Sequence, residues 1–295
     1  MLRPVARLIL AAAALALVAA GFAGASGATA RSTQVKKVPR IARQVPRKIR
    51  KQGTLIVASD ATYAPMEFIA KNGKTVIGVD ADLAKAIGGV LGLNFKVQNA
   101  TFATIIPGLS SGKYGVGMSA FTDTKARQKT VDFVTYFNAG TSFYVKASGG
   151  PKITGLSSLC GKTVAVENGT TQQADATAQN KKCKTAGKPG VKVSAFNDQN
   201  QANLAIASGR AQVGMADSPV AAYIVKQSHG QFKLSGKSYG TAPYGIALPK
   251  RNGMARPVLN ALEYLMKHGQ YHTILVKWGV QGGAISNPKI NGAIS

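Results

Sequence analysis

The chain has two cysteines, three histidines, one tryptophan and only 11 acids against 37 lysines and arginines in 295 residues. Each scarcity excludes something. His229, His268 and His272 are the whole histidine complement, and although the last two are four apart, neither Glu nor Cys accompanies them to complete a metal site. Cys160 and Cys183 are too few and too far from histidine to bind zinc. They fit export to an oxidising compartment, where a disulfide between them closes a loop of about 24 residues and adds about 3 kcal/mol. Two buried free thiols are the alternative. No cysteine stands between residues 15 and 30, so the thiol of a lipoprotein anchor is missing. There is neither an interleaved aromatic set nor a DNA-reading motif, which argues against nucleic acid as a partner. Two enzyme-like strings fail on context: "GLSSG" (108–112) ends a helix instead of joining strand to helix, and "GLSSLCGKT" (155–163) has the wrong glycine spacing for a phosphate loop. No cofactor is expected.

The charge that is present is unevenly placed. Arg3 and Arg7 precede an apolar run from Leu8 to Ala25, and small residues ending in "ATA" follow. Residues 1–30 therefore read as a secretory signal cleaved after Ala30, which places the mature chain in the periplasm or at the cell surface. An uncleaved anchor is the alternative, since the run is at the lower limit for spanning a bilayer. Residues 31–52 hold nine bases and no acid, with Pro39 and Pro46 in repeated V-P-R triplets. They read as a basic flexible linker able to contact an anionic envelope or membrane surface.

From Gly53 the apolar pattern alternates between strand and helix periods. "TLIVAS" (54–59) and "FKVQN" (95–99) read as strands, and "DLAKAIGGVL" places Leu83, Ile87, Val90 and Leu91 on one helical face. The order restarts at Gly161 with "TVAV", "TQQADATAQ", "VKVSAF", "NQANLAIAS" and "AQVGMA". "SGKYGVGMSA" (111–120) overlays "SGRAQVGMAD" (208–217), so the halves look like a repeat, although ten residues do not exclude chance. Such βαβα order implies α/β architecture with mainly parallel sheets, whose ligands bind beyond the strand C-termini. The predicted fold is two lobes: 53–138 with 239–295 as lobe 1, and 139–238 as lobe 2 with its hinge strands, with crossings near 139–141 and 232–238.

Within that frame one group of residues suits a zwitterion. Arg127 offers a planar fork for a carboxylate, and a cation in the first turn of a helix otherwise opposes the macrodipole by roughly 0.3–1 kcal/mol. Thr122 and free N–H groups at that helix start can fill the remaining lone pairs. In "NGTTQ" (168–172), Thr170 and Thr171 offer hydroxyl and N–H groups, or simply cap a helix. Asp217 ends a strand, where it can accept from an ammonium or cap "SPVAAY".

"GTLIVASDATYAPMEF", "GVDADLAKAIG", "IIPGLSSGKY", "MSAFTDTKARQKTVDF", "VAVENGTTQ" and "VGMADSPVAAY" follow one another in the order typical of family 3 solute-binding proteins, the polar amino acid binders of ABC importers. The resemblance covers about residues 53 to 280. It implies a two-lobed periplasmic-binding-protein fold that captures a polar L-amino acid, cationic or amide, and passes it to permease subunits. The binder is expected to act as a monomer without catalysis. By the same resemblance Arg127 grips the α-carboxylate with Thr122, the Ala120 carbonyl and Thr171, while Asp217 receives the α-amino group. Tyr63 and Phe102 match an aromatic pair around the side chain, and Asp60 and Glu167 match positions at its far end. Either acid can instead be occupied by a base of the chain. Ala120 departs from the serine of some relatives, and Gly115 from an aspartate. A dehydratase of the same fold with Glu167 as its acid, resembling cyclohexadienyl dehydratase, and a polyanion-binding surface protein are the alternatives.

Overall fold

The computed structural model describes residues 35–294, so the segment read as a signal lies outside it. Among the described residues no helix is long and apolar enough to cross a membrane.

The predicted strands form. β1 (Thr54–Ser59), β5 (Asn94–Asn99) and β6 (Val116–Gly117) are parallel neighbours in one half. In the other half, β8 (Thr163–Glu167), β9 (Lys192–Phe196) and β10 (Val213–Asp217) repeat that arrangement. Two long antiparallel strands, β7 (Val131–Lys146) and β11 (Phe232–Pro249), run between them. The sheet order is β5-β1-β6-β11-β7-β10-β8-β9. The residues of β7 up to Phe137 pair with Tyr244–Pro249, whereas Thr141–Lys146 pair with β10 and the start of β11. Register shifts between Ser235 and Gly245 interrupt the ladder of β11 with β7. The fold is thus a two-lobed mixed α/β structure, each half-sheet flanked by helices.

The helices follow from their apolar spacing. α3 (Val79–Leu91) buries Val79, Leu83, Ile87, Val90 and Leu91, and α9 (Ala255–Lys267) buries Val258, Leu259, Leu262 and Leu265 against the same core. α4 (Phe102–Ser110), α6 (Thr171–Thr185), α7 (Gln199–Ala207) and α8 (Ser218–Gln227) connect the strands, and α10 (Gln270–Lys277) follows α9. A small antiparallel sheet of β2 (Thr62–Tyr63), β3 (Glu67–Ile69) and β4 (Val76–Ile77) sits between β1 and α3; its strands are too short to show a period in sequence.

Within the segment expected as a flexible linker, 31–52, the described residues 35–52 are ordered differently. Pro39–Ala42 form α1 and Arg47–Gln52 form α2, and Ile41, Ala42 and Val45 are buried. Val38 N–H donates to the Val90 carbonyl at 2.9 Å, so the segment is a strap fixed to α3. Buried Ile41 and Val45, each worth about 1.5–3 kcal/mol, decide this with the smaller Ala42, while the eight bases from Lys36 to Lys51 remain in water.

Cys160 and Cys183 are joined in a disulfide with Cα atoms 5.6 Å apart. Cys183 lies on α6 in the core of the second half. Replacing both by serine is expected to cost about 3 kcal/mol and to lower the midpoint of thermal unfolding by roughly 6–12 °C, read by scanning calorimetry.

Candidate ligand-binding site

The C-terminal ends of β1, β6, β8 and β10 meet around a narrow polar cavity. All ten residues singled out from sequence line it: Asp60, Tyr63, Phe102, Ala120, Thr122, Arg127, Glu167, Thr170, Thr171 and Asp217. The space left free inside it is about 10 Å³, room for about one water, so a solute fits only when the halves or the lining side chains move apart. Hydrogen bonds cross between the halves: Arg127 Nη2 donates to the Gly169 carbonyl (3.0 Å), Tyr63 OH donates to Asp217 Oδ2 (3.1 Å) and accepts from Asp217 N (2.9 Å), and Gln199 N donates to Thr62 Oγ1 (3.2 Å). The halves are therefore in direct contact over the cavity.

At one end stands Arg127, in the four-residue helix α5 (Lys125–Gln128). Such a helix is too short to develop an opposing dipole of consequence, and the Arg127 N–H is capped by Thr124 Oγ1 at 3.2 Å. The expectation that the arginine sits against a dipole, with that N–H free beside it, is corrected accordingly. The guanidinium is instead held by the Thr122 carbonyl (Nη1, 2.9 Å) and by the Phe102 and Phe121 rings, whose centroids are 5.4 and 5.3 Å from Cζ. Phe102 and Phe121 stack on each other at 4.5 Å. Burial pulls the guanidinium down to about 10, with Asp217 opposing the fall, and it stays charged at neutral pH. Two of its five donors are used by carbonyls, leaving others for an oxyanion. Ala120 adopts a positive φ of 45°, and its N–H is tied to Asp80 Oδ2 at 2.8 Å.

At the other end Asp217 begins α8 without capping it. Its oxygens accept from Gln172 Nε2 (2.8 Å) and Tyr63 OH (3.1 Å), so the carboxylate faces the cavity and the capping alternative falls. Burial lifts its pKa to about 6, against the pull of Tyr244, Gln172, Tyr63 and the Arg127 charge. Thr170 does cap α6, accepting from Gln173 N at 3.2 Å. Its hydroxyl donates to the Glu167 carbonyl at 2.7 Å, which leaves Thr171, the first residue of the helix, beside the cavity.

Between these ends the cavity is acidic. Asp60 is buried, and accepts from Thr62 Oγ1 (2.7 Å) and Phe102 N (2.8 Å). Glu167 is 2 % exposed and its Oε1 has no hydrogen-bond partner. Burial, reinforced by Asp60, pushes the Glu167 carboxyl well above the usual range; Asp60 is itself raised by burial. The two ion pairs found among the described residues, Lys250–Asp132 and Lys277–Asp82, lie elsewhere, so no base occupies either acid.

Sequence reasoning did not single out Glu67, Ser119 or Gln172, which also line the cavity. Glu67 is fully buried, and its pKa is raised well above normal by burial and by Asp80. Ser119 Oγ links the two acids of this wall, donating to Glu67 Oε1 (3.0 Å) and accepting from Asp60 N (2.8 Å). Gln172 joins Asp217 to Thr141 Oγ1 on β7 (2.9 Å). Only their positions next to quoted residues, in "PMEF", "MSAF" and "GTTQ", marked them.

Two half-sheets that close a polar cavity, with a cation at one end and a carboxylate at the other, define a protein built to enclose a small charged solute. The model of the bacterial extracellular solute-binding proteins, family 3, matches residues 55–281, and the chain belongs to that family. It is 31% identical to the arginine-binding protein ArgT of Corynebacterium glutamicum over 255 residues, covering 86% of this chain and 83% of that one. Among solved structures, a mutant of ArgBP from T. maritima is similar at a TM-score of 0.73 and 32% identity, over 79% of this chain and 97% of that one. An ancestral arginine-binding protein bound to glutamine gives 0.71 and 37%, over 77% and 98%. The names of these relatives are those of binding proteins, not enzymes.

Proposed function

We propose that the protein is the substrate-binding component of an ABC importer that captures a cationic L-amino acid and delivers it to a membrane permease. The observation that carries this reading is the charge balance of the cavity, where Asp60, Glu67, Glu167 and Asp217 face a single base, Arg127. A zwitterion places its carboxylate on Arg127, with Thr122 and Thr171 beside it, and its ammonium on Asp217. That leaves Asp60 and Glu167 without a counter-charge, a vacancy that a guanidinium or second ammonium fills. Tyr63 and Phe102 flank the aliphatic stem. An amide side chain donates to the same two acids without balancing their charge, which ranks glutamine below arginine, lysine and ornithine.

The lobes of this mechanism are residues 53–138 with 239–295, and the segment between them. The solute docks on the first through Arg127, and the second closes with Asp217 and Thr171. β7 and β11 act as the hinge, and closure is favoured because the ligand touches both lobes only in the closed state. The chain is exported, and works outside the cytoplasmic membrane. Thermal-shift screening of the 20 amino acids plus ornithine tests the reading: arginine, lysine or ornithine at about 100 times its Kd raises stability by about 2.7 kcal/mol. Stabilisation by glutamate alone overturns it.

A further inference from the structure

The strap of α1 and α2 has no part in enclosing the cavity. We propose that its outward face is a docking surface for anionic phospholipid bilayers. The proposal is independent of which solute the cleft holds.

Arg40, Arg43, Arg47, Lys48, Arg50 and Lys51 are all exposed on this strap, and none is in an ion pair. Nor does any acid precede Asp60 in the chain, and Asp60 is itself buried in the cavity. The bases are displayed rather than loose. Buried Ile41, Ala42 and Val45 fix the strap to the core, and Asn260 Nδ2 on α9 donates to Gln44 Oε1 at 2.6 Å. Little order is therefore left to impose on binding. Gly253 in the β11–α9 turn lies beside Pro46, the turn adds exposed Arg251, and α9 adds exposed Arg256 against its single acid Glu263.

Basic clusters of this density are drawn to negatively charged lipid headgroups within a Debye length of about 8 Å. Lipid is favoured over nucleic acid because the strap contains no aromatic residue on which a base could stack. In sequence it also follows closely on the apolar run Leu8–Ala25, which passes through or into the membrane during export. The strap enters β1 at Thr54, whereas the cavity begins at Asp60 beyond the other end of that strand, roughly 20 Å away by strand rise. Lipid docking thus leaves the cleft open to solute.

The test is co-sedimentation of the purified full-length exported protein with vesicles. Binding is expected to phosphatidylglycerol-containing vesicles at about 50 mM salt and not to pure phosphatidylcholine, with release at about 500 mM. Replacing the six named bases by glutamine should weaken vesicle binding roughly tenfold or more while leaving arginine affinity and thermal unfolding unchanged. The smaller set Arg47→Gln, Lys48→Gln and Arg50→Gln, which guards against a folding defect, should give an intermediate loss and a shallower salt dependence. Equal binding to neutral vesicles, or undiminished binding by the six-base variant, overturns the proposal. So does tighter binding of a single-stranded oligonucleotide at equal phosphate concentration, which would assign the strap to nucleic acid.

Discussion

Arg127→Ala is expected to weaken arginine binding at least a hundredfold in isothermal titration calorimetry at neutral pH, and Arg127→Lys to restore only part of the loss. Truncating one partner of a buried, hydrogen-bonded charge pair costs about 2–5 kcal/mol or more, largely because the other charge stays buried without a partner. Here the stranded partner is the ligand carboxylate. Lysine returns the charge without the planar fork, and an ammonium does not pack against the Phe102–Phe121 pair as the guanidinium does. The substitution also deletes the Arg127 bond to the Gly169 carbonyl, one of those that join the halves. Part of the loss should therefore appear as a more open unliganded protein, visible as a larger radius of gyration in solution scattering. An affinity within threefold of the parent would place the carboxylate elsewhere.

The bond from Arg127 to Gly169 also shows which parts of the site could be read from sequence. Strand ends are legible because apolar runs such as Leu55–Ala58 and Val213–Ala216 stop at a polar residue, and in open α/β sheets those ends face the ligand. The order of short motifs then supplied the identities, and all ten named positions line one cavity. What stayed hidden depends on contacts between distant segments. Gln172 reads as an ordinary helix residue until Asp217, 45 positions away, is folded against it. Ser119 reads as a strand-end serine until Asp60 and Glu67 meet there. The strap was obscured for the opposite reason: charge and two prolines dominate its composition, although Val38, Ile41, Ala42, Val45 and Ile49 recur at helical spacing and mark the face that packs on the core. The small sheet β2-β3-β4 was missed because two or three residues carry no period.

Glu167→Gln is expected to reduce arginine affinity by 10- to 100-fold while changing glutamine affinity less than threefold. The loss follows from replacing a charge-assisted hydrogen bond, worth about 1.5–3 kcal/mol, by a neutral one. The same residue should make arginine capture a proton exchange. In the unliganded cleft Glu167 holds its proton to higher pH than a free carboxyl does, because burial and neighbouring Asp60, Asp198 and Asp217 all oppose a further negative charge. A guanidinium placed between Glu167 and Asp60 reverses that balance, so the bound-state pKa falls below the free-state value. Between the two values the complex holds fewer protons than the free protein, and affinity for a cationic ligand rises with pH by up to about tenfold per unit. Asp217 adds a second window. Its pKa of about 6 in the unliganded site means that every α-ammonium ligand binds less tightly as pH falls through that value. Glutamine should follow the Asp217 window alone and level off above it, while arginine affinity continues to climb. Calorimetry at neutral pH in two buffers of different ionisation enthalpy separates the ligands directly: arginine releases more protons than glutamine, and Glu167→Gln removes the difference. An arginine enthalpy that is the same in both buffers would mean that Glu167 is already ionised in the unliganded cleft, and that the acidic wall recognises its ligand as a fixed charge.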